Sequence, residues 1–311
     1  MLTGTGTESA RATRGEEHEL RSGAPGGIAA KVNESGAQLV SLTLAGRERL
    51  WQADPRWWPR HAPVLFPIVG VVPASETCSQ GECPMGRHGV ARSQRFETLA
   101  RSEREVSLEL VANDETRAIY PYEFSLVMTY EIVDDSTLRQ TFRVRNLDTV
   151  DLPFTLGGHP AFNLLTAPDG SALPFEAHEL CFAHAWNAAT PTMDGAGMLD
   201  FGSMIELSRA SDTLRLGRPL FDNDTLILHD VPDSTVELRA RGSEHGVRLD
   251  FDGFEYLGVW SAAHAAPFLA IEPWTGCSTA YDEGTELERK RGMRLLAPGD
   301  EARFSFIITL W

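Results

Sequence analysis

Lysine is almost missing from this 311-residue chain: it occurs only at Lys31 and Lys290 among 28 basic residues. No functional class follows from that bias, but the wider shortage of positive charge has a consequence. Forty-four acidic residues leave a formal charge of −16, which repels phosphate backbones and anionic lipid surfaces, so a nucleic-acid partner is not expected. Long apolar runs are missing too. The longest, Ala62 to Ala74, is too short for a membrane span and is broken by Pro63, Pro67, Gly70 and Pro73. Cysteine is scarce: Cys78, Cys83, Cys181 and Cys277 are too scattered for a disulfide scaffold and fit a reduced, cytoplasmic setting. Cys78, Cys83 and His88 recur every five residues. Structural zinc pairs are closer and no fourth ligand lies nearby, so no metal is expected. Residues 1–25, rich in Gly, Thr, Ser, Glu and Arg, lack the apolar core of a secretory signal and read as a flexible tail.

Helical periodicity is also sparse. Asp114 to Tyr120, stopped by Pro121, and Glu283 to Lys290 are the two short candidates. The chain shows no fixed-period repeat, no glycine-rich phosphate loop and no nucleophile elbow. What it has is period-two alternation. In Leu138-Arg139-Gln140-Thr141-Phe142-Arg143-Val144-Arg145 one face is mostly apolar and the other carries three arginines and a threonine, the pattern of a strand with one wet side. Val106–Leu110, Val247–Asp252 and Phe304–Leu310 repeat it, and Asp134-Asp135-Ser136 joins a strand over Ser125–Val133 to the next as an antiparallel hairpin. Without helices between strands, the expected fold is all-β: antiparallel sheets packed face to face in one long β-sandwich domain from residue 26 to 311.

Two distant segments each fix one titratable side chain in stiff backbone. In Gly157-Gly158-His159-Pro160-Ala161-Phe162-Asn163 the glycines allow a tight or left-handed turn and Pro160 restricts His159 to extended conformations. In Leu269-Ala270-Ile271-Glu272-Pro273-Trp274 a lone carboxylate follows an apolar run. A histidine in such a turn is often structural. An unpaired carboxylate among apolar neighbours is costly unless it has a partner or a task. Together they suit general acid-base work, provided the fold brings them to opposite sides of one bound molecule.

These segments, with Leu50-Trp51-Gln52, Pro63–Gly70, Met85-Gly86-Arg87-His88-Gly89-Val90-Ala91-Arg92, Asp222-Asn223-Asp224-Thr225-Leu226 and Ile271-Glu272-Pro273-Trp274-Thr275-Gly276, resemble the aldose 1-epimerase (galactose mutarotase-like) family, in particular its LacX-like branch, from about Ala30 to Trp311. The resemblance implies a large antiparallel supersandwich whose concave face binds a monosaccharide. It also implies mutarotation without a cofactor: Glu272 as the base toward the anomeric hydroxyl, and His159 as the acid toward the ring oxygen. It makes His88 a second pocket histidine, the alternative being a structural imidazole in a turn. Arg92 reads either as a fork of donors to sugar hydroxyls or as an ion-pair partner, and Asp224 either as a hydroxyl acceptor or as a turn aspartate before Leu226-Ile227-Leu228. Among Trp57, Trp58, Trp260 and Trp274, only Trp274 is expected to line the site, by virtue of its place beside Glu272.

The chain departs from the family at Val71, where relatives commonly carry an arginine, and at Cys277-Ser278-Thr279, where many carry an aspartate. The substrate therefore does not transfer. A sugar-binding or sugar-sensing protein without turnover is the alternative in a different class. A phosphorylated or acidic sugar, met by Arg87, Arg92 and Arg95, is a third reading.

Overall fold

The alternating segments form strands because each buries one face, and two large sheets result. The computed structural model describes residues 15–262 and 265–311. Strand accounts for 49% of it and helix for 7%, which leaves no room for βαβ units. The larger sheet has nine strands in the spatial order Leu199–Arg215, His178–Met193, Thr235–Ala240, Val247–Asp250, Glu301–Leu310, Thr137–Asn146, Phe124–Ile132, Glu105–Val111 and Glu97–Arg101. Each neighbouring pair is antiparallel. In Thr137–Asn146 the inward Leu138, Phe142 and Val144 are fully buried while Arg143 and Arg145 face water. Arg143 pairs across the ladder with Glu301 at 3.2 Å. The Asp134–Ser136 turn joins Phe124–Ile132 to this strand in antiparallel register, Ile132 opposite Leu138.

A second sheet, of six strands, carries the site. Its spatial order is Leu226–His229, Tyr256–Trp260, Phe268–Trp274, Gly157–Gly158 and Val64–Leu65, with Ala161–Asn163 also paired to Phe268–Trp274. Every residue of Phe268–Trp274 is buried, as an interior strand covered on both faces requires. One continuous apolar core links the sheets, with Phe66, Phe124, Phe142, Phe154 and Phe306 among its largest members. Of the two helical candidates, Asp114–Arg117 is a single turn held by an Asn113–Thr116 capping box, and the other shrinks to the 3₁₀ turn Leu287–Arg289.

One boundary expectation is corrected. Residues 15–25, read as part of a tail, include the strand Glu17–Arg21, the edge of a four-stranded sheet completed by Ala29–Asn33, Gln38–Leu44 and Arg47–Glu48. Leu20 is 1% exposed and His18 4%, the two inward positions of a strand too short and too polar to stand out from its surroundings. Residues 1–14 lie outside the described residues. Removal of residues 1–22 should therefore destabilise the protein. Burial of one leucine contributes about 2–3 kcal/mol, so a fall in Tm of roughly 5 °C or more is expected in a thermal melt. An unchanged Tm would show that the strand contributes nothing.

Candidate active site

The strand Phe268–Trp274 places Glu272 opposite Gly258 on one side, while Gly157 pairs with Trp274 on the other. Gly157 and Gly158 owe their identity to crowding and not to a left-handed turn: both sit in strand conformation, outside the positive-φ glycines. A Cβ on Gly157 would lie 2.5 Å from the Trp274 ring, and one on Gly158 2.7 Å from the Phe306 ring. Their bareness lets the strand press against its neighbours and delivers His159 beside Glu272.

His159 Nε2 lies 3.2 Å from Glu272 Oε2, and the two residues are 7% and 1% exposed. The contact has the length of an ion pair without the alignment of a hydrogen bond. Both Glu272 carboxyl oxygens and His159 Nδ1 are buried without a hydrogen-bond partner among the described residues. The two groups thus meet side by side at the cavity wall. Burial pushes the Glu272 carboxyl well above the usual carboxylate range, reinforced by the Asp224 charge and opposed by the Trp274 indole and Arg87. Burial also pulls His159 down to about 3, and the positive fields of Arg92, Arg60 and Arg87 act in the same direction. Unsatisfied, strongly perturbed groups in a cavity of this kind are candidates for a functional site.

His88 adjoins the pair, its ring 5.7 Å from that of His159 at 83°. Its Nδ1 accepts the Gly70 amide at 3.1 Å, so the neutral ring carries its proton on Nε2 and is a donor there. Burial holds it neutral, followed by the effects of His159, Arg92, Arg87 and Arg60. Arg92, on the 3₁₀ turn Ala91–Ser93, is half-buried at the cavity wall, and burial with Arg60 and Arg87 lowers it to about 10. Asp224 holds a positive φ of 73°, and its Oδ2 lies 3.5 Å from Arg87 Nη1. All six residues singled out from sequence, His159, Glu272, His88, Arg92, Asp224 and Trp274, line one cavity of about 460 Å³. Arg95 does not: its guanidinium binds Glu34 at 2.8 Å.

Several cavity residues were not legible from local sequence. Trp58 stacks on His159 with ring centroids 4.6 Å apart at 22°, and Trp260 meets both edge-on. Both indoles remain partly exposed to the cavity, whereas Trp274 is 4% exposed and its ring covers Gly258. Trp58 fixes the imidazole plane, and the signal for it was only the aromatic pair Trp57-Trp58 ahead of Arg60. Ser278 borders the cavity and accepts the Val71 amide at 3.1 Å. Val71 itself is not a wall residue; Arg87 and Arg92 supply the cavity's positive charge. Cys78 and Cys83 lie with their sulfurs 2.8 Å apart, and neither lines the cavity to which His88 belongs.

The sequence pattern of the aldose 1-epimerase family matches residues 18–290. The chain is 34% identical over 286 residues to the chromosomal LacX protein of Lactococcus lactis subsp. lactis, covering 88% of this chain and 94% of that one. Its fold matches the galactose mutarotase related enzyme of Lactobacillus acidophilus with a TM-score of 0.87 at 29% identity, over 95% and 97% of the two chains. A galactose mutarotase-like protein of Lactobacillus casei matches with a TM-score of 0.85 at 28% identity, over 95% and 100%. On this pattern, this fold and the six residues gathered in its cavity, the chain belongs to the aldose 1-epimerase family, in its LacX-like branch.

Proposed function

We propose that the protein interconverts the α and β anomers of an aldose. The observation that carries this reading is the unpartnered His159–Glu272 pair, 3.2 Å apart in a polar and aromatic cavity. Sugar recognition alone needs donors and acceptors, which His88, Arg92, Asp224 and Ser278 supply. It does not need a buried acid and base in contact.

The reaction requires one proton to leave the anomeric O1 while another reaches the ring O5. The C1–O5 bond breaks, C1=O1 forms, the free aldehyde turns about C1–C2, and the reverse transfers close the ring on the other face. O1 and O5 hang from the same carbon, so two groups a hydrogen-bond length apart can address both. Burial makes the neutral forms the resting ones, a carboxylic acid at Glu272 and an imidazole at His159. That combination holds one transferable proton, as does the carboxylate–imidazolium combination in which Glu272 is the base and His159 the acid. Either allocation offers one donor and one acceptor and restores the same proton count after turnover, with each transfer contributing roughly 10²- to 10⁴-fold. Trp58 locks the imidazole plane, His88 Nε2–H donates to a hydroxyl, and Arg92 offers a fork of donors to neighbouring oxygens.

Saturation-transfer NMR of anomer exchange across free and phosphorylated aldoses tests the proposal. Exchange faster than the buffer-catalysed rate for at least one sugar is the expected result; binding without exchange would make the protein a sugar binder. Among the described residues no cluster of three or more His, Cys, Asp or Glu side chains is placed to hold a metal ion. Prolonged chelation should leave the exchange rate within about twofold of untreated enzyme, because proton transfer by His159 and Glu272 needs no ion. Loss of exchange that zinc restores would refute this mechanism.

A further inference from the structure

A second cavity, of about 580 Å³, shares no wall residue with the first and contains an arginine whose side chain has no hydrogen-bond partner among the described residues. Arg49 follows the edge strand Arg47–Glu48, which turns back on Gln38–Leu44 through Ala45 and Gly46. The residue is 7% exposed, and its Nε is buried without a hydrogen-bond partner among the described residues. Burial and the like charge of Arg47 both act against its charged form. An isolated buried guanidinium is among the costliest groups to leave uncompensated.

The neighbours add positive charge and donors. Arg47 NH1 lies 2.8 Å from His245 Nε2, and Arg47 also borders the cavity. Glu48 borders it as well, but its carboxylate already accepts the Leu42 and Leu50 amides at 2.8 and 2.9 Å and the Ser41 hydroxyl. Glu244 acts on His245 but not on Arg49. Leu164, Leu165 and Leu173 give the rest of the cavity an apolar wall. In a chain with a formal charge of −16, two arginines against the single carboxylate of Glu48 give a net positive spot that stands against the overall field.

We propose that Arg49 and Arg47, the latter held by His245, form a second binding site for a small molecule that carries an oxyanion, a phosphate or carboxylate group, on a partly apolar body. The guanidinium fork of Arg49 takes the oxyanion bidentately, Arg47 adds the second cation, and the leucine wall receives the body. The site adjoins the catalytic segment, since Asn163 borders the cavity and donates its amide to the Arg49 carbonyl at 2.8 Å.

Thermal melts and calorimetric titrations with inorganic phosphate and, separately, succinate, at ionic strength held constant with sodium chloride, test the proposal. In the full-length protein at least one anion should raise Tm saturably, and Arg49→Met should weaken that binding about tenfold or more, the value of a charge-assisted bidentate contact. A response to phosphate alone assigns a phosphate ligand, and one to succinate alone a carboxylate. Should Arg49→Met fail to fold, Arg47→Gln at the half-open rim serves instead, with a loss of about fivefold or more expected. A response no greater than that to chloride, or one that persists unchanged in these variants, overturns the proposal; the second result would place the anion on Arg87 and Arg92 instead.

Discussion

Glu272→Gln and His159→Asn should each slow anomer exchange by about 10²-fold or more, and the double variant should be scarcely slower than the worse single one. Glutamine keeps the size of the carboxyl group and its hydrogen-bonding reach but can neither give nor take a proton at the required point of the reaction. Asparagine leaves a polar group in place of the imidazole and removes the other proton carrier. Because O1 deprotonation and O5 protonation accompany one bond cleavage, failure at either end leaves the other with nothing to assist. The 3.2 Å separation strengthens the expectation of non-additivity, since groups in contact that share one proton act as a unit. Circular dichroism should show both variants folded. Additive losses would mean two independent contributions. Near-wild-type exchange by a folded single variant would remove that residue from catalysis and favour sugar binding without turnover.

The parts of the fold that were legible in the sequence are those where one short segment determines its own surroundings. Alternation in Leu138–Arg145 separates a wet face from a dry one without outside help, and Asp134-Asp135-Ser136 makes its own turn, so strand and hairpin follow locally. His159 and Glu272 were legible as candidates because proline and apolar neighbours restrict each of them. Their contact was not, because it depends on register: Gly157 must meet Trp274, and the crowding behind that pairing involves residues more than a hundred positions apart. For the same reason the two glycines were read as a turn, when their lack of side chains serves close packing. Trp58 is indistinguishable from a core tryptophan until its ring is seen on His159. Leu20 and His18 are single inward residues in a polar segment, too few to produce a periodic signal. Arg49 lies beyond local reading altogether. Its significance is the absence of a partner among the described residues, which only the assembled cavity reveals.

The burial that shapes the His159–Glu272 pair should also be visible in the stability of the fold, with opposite signs for its two members. His159 is held near 3 in the folded protein and returns to about 6.5 on unfolding, so below pH 6.5 the unfolded chain binds a proton that the folded chain excludes. Stability attributable to this residue therefore falls as pH drops. Between pH 6.5 and 4 the loss amounts to about 3 kcal/mol. Glu272 behaves in the reverse sense: its folded value is raised, so above pH 4.5 the unfolded chain releases a proton that the folded chain retains, and stability falls as pH rises toward that raised value. Denaturant midpoints from pH 4 to 8 should separate the two. Relative to wild type, His159→Asn should gain stability progressively as pH is lowered, and Glu272→Gln should gain it as pH is raised. His88, also held neutral by burial, keeps part of the acid-side loss in His159→Asn, so its profile flattens without becoming level. Other carboxylates, such as Glu34, titrate equally in all three proteins and cancel in the comparison. Profiles that run parallel to wild type in both variants would show that neither group is buried in the uncharged form, and the reading of the resting pair as a carboxylic acid beside an imidazole would fall with them.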